Sequence, residues 1–125
     1  MVIKKRLSMS IPNVVNILQE DGAINDELDY ALMTYLLKNR GTGYTACQPS
    51  LVELEGGKKA IKMNIDNTLI DKNNQLMGIG IVGTLFIDSE TLQVIYCTSK
   101  EDLDNNIEKL ISAGYKPQPR PRGKY

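Results

Sequence analysis

Alternating apolar and polar residues around a Gly-Gly pair are the feature that most constrains this fold. After Gly56-Gly57, Ile61, Met63 and Ile65 alternate with Lys62 and Asn64, and the mainly apolar stretch Leu-Val-Glu-Leu at residues 51–54 precedes the pair. Two adjacent glycines supply the positive φ angles that a tight hairpin turn requires. Alternation in steps of two places one face of such a hairpin on a core and the other in water. The sequence therefore predicts an antiparallel β-hairpin.

Two more strands are predicted after this hairpin. Residues 66–75 are rich in Asn and Asp, which favours a loop. Residues 76–87 are the most apolar segment and are predicted to form a central strand with a bulge at a glycine. Its glycines are spaced as in a dinucleotide-binding loop, but strand-like residues follow where that motif needs a helix. After a turn at residues 88–91, residues 92–97 alternate again and predict a returning strand.

The chain before the hairpin carries two segments with helical periodicity. Apolar residues at i, i+3, i+4 and i+7 predict a first helix that begins at Ser10 and stops at Asp21-Gly22. These residues are Ile11, Val14, Val15 and Leu18. A second helix is predicted from Asn25, a suitable N-cap, to Gly41.

A third helix is predicted near the C-terminus. Thr98 and Glu101 have the spacing of a capping box, and Ser99 with Asp102 offers a second register. Gly114 is placed to end this helix. Beyond it, proline at alternate positions predicts an extended tail.

The predicted order of elements is ααββββα. We expect a single α+β domain with a four-stranded, mainly antiparallel sheet, two N-terminal helices and one C-terminal helix. A chain of 125 residues is close to the most common domain size. The predicted division is a basic N-terminal segment at residues 1–9, the domain at residues 10–114 and a basic proline-rich tail at residues 115–125.

Composition excludes several chemistries. The chain has no histidine, which excludes serine-histidine and cysteine-histidine catalysis and zinc sites with histidine ligands. Cys47 and Cys97 lack metal-ligand spacing and are expected to be reduced, partly buried thiols. Neither a cofactor nor a metal site is predicted. No apolar run approaches the length of a membrane span, and no signal peptide is recognisable, so a cytoplasmic location without membrane contact is expected.

Four carboxylates in predicted loops offer the one route to an enzyme. Asp66, Asp71, Asp88 and Glu90 could converge on a magnesium ion or act as acid and base. The preference of Asp for turns also explains why these residues occur in loops. The sequence shows no nucleophile or orienting partner that would complete a catalytic site with them. The sequence thus favours a protein without enzymatic activity and leaves the question open.

The charge distribution is uneven although the net charge is zero. Seven of the fifteen Lys and Arg residues lie within residues 4–6 and 116–124, and the remaining eight oppose all fifteen Asp and Glu, a formal charge of −7. Basic termini of this kind either bind phosphates or an acidic partner, or fold back onto the acidic body. The tail residues that carry this charge are Lys116, Arg120, Arg122 and Lys124.

A glycine-rich loop is the second candidate site. Gly41, Gly43 and Tyr44 could form an anion-binding nest or a contact surface, and a plain connector between helix and sheet is the simpler interpretation.

The expected function is a non-enzymatic protein-binding or regulatory module. It would act through an exposed sheet edge, the basic tail or both, and its partner would be another protein or a second copy of the chain. A nucleic-acid-binding protein that uses the basic termini is the alternative. An enzyme that depends on carboxylates or a metal is the third hypothesis.

Overall fold

The computed structural model describes residues 11–20 and 24–121 of the chain. These residues form an α+β fold with a six-stranded antiparallel sheet and two helices. In chain order the elements are β1 (Val14–Gln19), α1 (Asp26–Asn39), β2 (Tyr44–Leu54), β3 (Lys59–Ile70), β4 (Leu76–Asp88), β5 (Val94–Cys97), α2 (Lys100–Ser112) and β6 (Gln118–Pro119).

The strands follow one another across the sheet in the order β1-β2-β3-β4-β5. The short strand β6 also pairs with β4, at Met77 and Gly78, whereas β5 pairs with its other end, at Leu85–Ile87. One side of the sheet is therefore closed by β5 and β6 together. On the other side β1 is the outermost strand of the described sheet.

The predicted hairpin is confirmed, and its strands are longer than expected. Gly56 and Gly57 have φ angles of 91° and 85° in the turn between β2 and β3. β2 begins seven residues before the predicted start at Leu51, because a bulge between Cys47 and Ser50 carries the strand through Pro49. β3 continues through Ile70, so much of the predicted loop at residues 66–75 is strand.

Alternating side chains give the sheet two different faces. Met63 and Leu85, paired across β3 and β4, belong to a cluster that packs against both helices. Ala60 and Phe86 point to the opposite face and form a second, smaller cluster. The helices contribute Leu28, Leu32, Leu36 and Leu103 to the first cluster. Each of these leucines stabilises the fold by roughly 1.5–3 kcal/mol through burial of its side chain.

Both helices begin at caps that the sequence signals. The Asn25 side chain accepts a hydrogen bond from the Leu28 backbone N–H at 2.8 Å, which confirms the predicted start of α1. Ser99 caps α2 by accepting from the Asp102 N–H, so the second of the two predicted registers is the one used. Among the described residues, neither helix is long and apolar enough to cross a membrane.

The predicted first helix is wrong, and with it the order ααββββα and the four-stranded sheet. Within the predicted helix, Val14–Gln19 form β1, whose Ile17 pairs with Val52 of β2. Only Val14 of the predicted helical stripe packs against a core cluster, whereas Ile11, Val15 and Leu18 are exposed. β-Branched residues also favour a pleated strand, which explains why pairing with β2 prevails over the helical spacing. The predicted ends of that helix, Ser10 and Asp21-Gly22, lie outside the described residues.

Close packing of α2 on β4 depends on a glycine. A Cβ at Gly83 would lie 2.5 Å from Leu103 Cδ2 and 2.9 Å from the Thr98 side chain. Any larger residue there requires the side chain of Leu103 or Thr98 to shift.

We therefore expect Gly83→Ala to lower the free energy of unfolding by about 1–3 kcal/mol, the usual cost of overpacking a core. Urea denaturation measures this cost. A Leu103→Ala background removes the closest of these contacts and leaves the one with Thr98, so the same substitution should cost less there. Equal costs in the two backgrounds would show that the Leu103 contact is not the cause.

Candidate functional site

The C-terminal tail is fastened to its own domain by a buried ion pair. Arg120 Nε donates a hydrogen bond of 2.8 Å to Oδ2 of Asp66, whose side chain is fully buried. The other carboxylate oxygen, Oδ1, accepts from the Gly80 N–H at 3.0 Å. The Arg120 backbone N–H donates to the Leu76 carbonyl at 2.8 Å. Side chain and backbone thus both hold the tail against β4.

A glycine makes room for this ion pair. A Cβ at Gly78 would come within 2.5 Å of Arg120 Nε and closer still to Asp66 Oδ2. β3 and β4 also lose regular register on both sides of Asp66, and such bulges re-aim side chains. The predicted bulge at a glycine of this segment is present, since one register shift spans Gly80, whose N–H donates to the Asp66 carboxylate.

The other predicted tail residues are placed differently. Lys116 is exposed, and Arg122 and Lys124 lie outside the described residues. Arg120 neutralises an internal carboxylate, so its charge is balanced within the domain. Binding of a protein or nucleic acid by the termini stays a prediction that the described residues do not test.

The glycine loop serves as a connector. Gly41 and Gly43 have φ angles of 102° and 93° between α1 and β2. The Tyr44 hydroxyl donates to Asp104 of α2 at 2.9 Å, and Lys100 Nζ lies 5.7 Å from the centre of the tyrosine ring. Burial raises the pKa of Tyr44, and its hydrogen bond to Asp104 acts in the same direction. These contacts tie β2 to α2 and engage Tyr44 within the fold.

The four candidate carboxylates are not brought together. Asp66 is bound to Arg120, and Asp71 accepts hydrogen bonds from the Asn73 and Gln75 N–H groups in its own turn. Asp88 pairs with Lys58 at 3.0 Å. Within residues 11–20 and 24–121, no group of three or more His, Cys, Asp or Glu side chains is arranged to hold a metal ion.

Both thiols are buried and free, as expected from their spacing. Burial, followed by the nearby Asp66 carboxylate, raises the pKa of the Cys47 thiol to about 12. Burial likewise raises the pKa of Cys97. Because the thiolate is the nucleophilic form, both cysteines are unreactive near neutral pH.

A concave polar cleft lies beside β1 on the face opposite the helices. It encloses about 290 Å³ between β1, β2 and β3. Its polar wall is formed by Gln48, Ser50, Lys62 and Asn64, and Glu20 stands at the end of β1. Val14, Ile17 and Val52 form the apolar part of its lining.

Sequence reasoning missed this cleft for a specific reason. The alternation of the hairpin predicts only that Lys62 and Asn64 lie on its polar face. The third wall of the cleft is β1, and the sequence pattern predicts a helix there. Pro49 beside Gln48 was the one signal for the bulge, since proline in a strand interior is tolerated mainly at bulges and edges.

No protein-family model, no curated protein and no solved structure matches this chain.

The first prediction for this region concerns the buried ion pair. Arg120→Met removes the cation that pairs with Asp66, and we expect it to lower the free energy of unfolding by about 2–4 kcal/mol. This loss is smaller than for a fully buried pair because the Arg120 side chain is 24% exposed. Lys116→Met, in the same exposed tail, should have little effect. Adding Asp66→Asn to Arg120→Met should recover part of the loss. Urea denaturation of the four proteins tests this, and an Arg120→Met variant as stable as Lys116→Met would contradict it.

The second prediction concerns acid stability. The hydrogen bond from Lys58, followed by those from the Glu90 and Thr91 N–H groups, lowers the Asp88 pKa from 3.8 to about 2. A lowered folded-state pKa stabilises the protein above the unfolded pKa, and this stabilisation disappears as pH falls from about 3.8 to about 2. The stability difference between wild type and Asp88→Asn should therefore be largest near neutral pH and shrink across that window.

Denaturation curves recorded between pH 7 and pH 2 measure this difference. Lys58→Met removes the largest cause of the shift, so in that background the pH-dependent part should be smaller. A stability difference independent of pH would contradict the assignment.

Proposed function

We propose that this protein is a non-enzymatic protein-binding module whose exposed edge strand β1 pairs with a second copy of the chain. The observation that carries the proposal is the character of β1. It is the outermost strand of the described sheet, and its six residues include no charged residue and no proline. Proteins ordinarily protect exposed edges with charge, proline or a covering element.

The opposite side of the sheet has such protection. β5 covers one end of β4, and β6, which contains Pro119, covers the other. The Asn106 side chain of α2 donates to the Val82 carbonyl between them at 2.8 Å. The outer strand on that side, β5, is also free of charge and proline, but it has only four residues, and the Arg40 side chain donates to the Cys97 and Thr98 carbonyls at its end at 3.2 Å and 2.7 Å. β1, with six residues, is the longer edge and is the one proposed for pairing.

The side chains of β1 support pairing as well as its backbone. Val15 and Ile17 are 56% and 57% exposed, and Leu18 is 40% exposed. An added strand would cover apolar surface while its backbone forms ladder hydrogen bonds. Burial of such surface stabilises association by about 25 cal/mol per Å² before the costs of binding.

A second copy fits this edge because β1 is neutral and self-compatible. Glu20 is the charged residue at its C-terminal end, and antiparallel pairing places the two copies of Glu20 at opposite ends. Register shifts at Val14/Asn16 and Ile17/Gln19 make the strand irregular. Bulges are one of the ways in which edge strands are protected, so the proposal rests on the uncharged sequence and the exposed apolar side chains of β1.

The test is the oligomeric state of the full chain. We expect sedimentation equilibrium to detect a monomer–dimer equilibrium in the wild type. Val15→Lys or Leu18→Lys should weaken association by roughly tenfold or more, since either change places a charge on the edge that pairing must desolvate.

Two equally exposed apolar residues provide matched controls. Leu92 and Ile111 are 51% and 55% exposed and lie away from β1. Leu92→Lys and Ile111→Lys should leave dimerisation unchanged. A wild type that stays monomeric at every accessible concentration, or equal losses in all four variants, would overturn the proposal.

A further inference from the structure

A partly buried lysine lines the cleft beside β1. Lys62 is partly buried on the central strand β3, directly opposite Ser50 of β2. It forms no salt bridge with any described residue, although Lys58 and Lys100 both do. A partly buried ammonium group without a paired anion favours a ligand that supplies one.

Gln48 provides an independent observation. It has a φ angle of 54°, in the left-handed region, at the bulge that interrupts β2. A glutamine there stores backbone strain, and strained residues cluster at functional sites. Its Oε1 accepts a hydrogen bond of 2.6 Å from Asn64 Nδ2. This contact leaves the Gln48 amide N–H₂ as a donor at the cleft and Asn64 Oδ1 as an acceptor.

The two ends of the cleft differ in charge. Lys62 lies on its polar wall, and Glu20 lies at its β1 end without an ion pair to any described residue. Ile17 and Val52, paired across β1 and β2, supply apolar surface. A ligand with one negative group, one positive group and a short apolar body matches all three features.

We infer that this cleft is a binding site for a small zwitterion with an apolar side chain, of the class of the α-amino acids. The ligand carboxylate binds Lys62 and the Gln48 amide, and its ammonium group faces Glu20 and Asn64 Oδ1. The apolar side chain packs on Ile17 and Val52. The cleft volume of about 290 Å³ lies at the lower end of the range for ligand pockets, which suits a molecule of this size.

This inference shares Ile17 with the proposed pairing of β1, but Val15 and Leu18 do not line the cleft and Lys62 and Gln48 are not on β1. The two ideas can therefore fail separately. A Leu18→Lys protein should still bind the zwitterion, and a protein that cannot bind it should still dimerise.

The experiment is a titration of the isotope-labelled full chain with L-leucine, followed by amide NMR shifts. Saturable shifts are expected at Gln48, Ser50 and Asn64. Two leucine analogues separate the charges: 4-methylpentanoate carries only the carboxylate, and isoamylamine only the ammonium group. Both should bind more weakly than leucine. Absence of saturable shifts with leucine would overturn the site, and equal binding of 4-methylpentanoate would overturn the role of Glu20.

Substitutions of Lys62 and Gln48 test whether these side chains contact the ligand. Lys62→Met should weaken leucine binding by about tenfold or more, the expected loss for a charge-assisted hydrogen bond, whereas Lys59→Met on the same strand should not. Gln48→Gly relieves the strained φ angle, so it should hold or raise the melting temperature while it weakens leucine binding. Unchanged leucine affinity in Lys62→Met and Gln48→Gly would contradict the inference.

Discussion

The ion pair between Asp66 and Arg120 is the interaction around which the sheet and the C-terminal tail are arranged. A fully buried carboxylate is tolerated only when a cation and hydrogen-bond donors surround it. Arg120 and the Gly80 N–H meet that need, and Gly78 leaves the space for them. The bulges lie on both sides of Asp66. β6, which pairs with β4, ends at Pro119, directly before Arg120 in the tail.

The same interaction changes how the charge distribution is understood. The basic tail and acidic body that the sequence separates are partly joined in the fold, since Arg120 balances an internal Asp. The surfaces proposed for binding lie instead on the other side of the sheet. There the uncharged edge strand β1 borders a cleft whose Lys62 has no anionic partner among the described residues. Assembly and ligand binding would use neighbouring sets of side chains that have Ile17 in common.

Prediction from sequence succeeded where neighbouring residues decide the structure. The Asn25 cap, the Gly56-Gly57 turn and the Ser99 cap are local signals, and each is present. Prediction failed for β1, whose apolar residues satisfy a helical spacing and a strand preference at once. It also missed the extension of β3 to Ile70, because a polar sequence pairs as a strand once β4 lies beside it. The candidate site was missed with β1, since its walls come from three strands.

The sequence by itself determined the α+β class, the absence of histidine chemistry, α1, α2 and the central hairpin. These follow from composition and from contacts within a few residues. Only the tertiary structure decided that β1 is a strand, that Arg120 is bound to Asp66 and that Lys62 borders a cleft with Gln48 and Glu20. Asp66 and Arg120 are 54 positions apart. Whether such residues meet depends on the pairing of whole strands, and no local propensity encodes it.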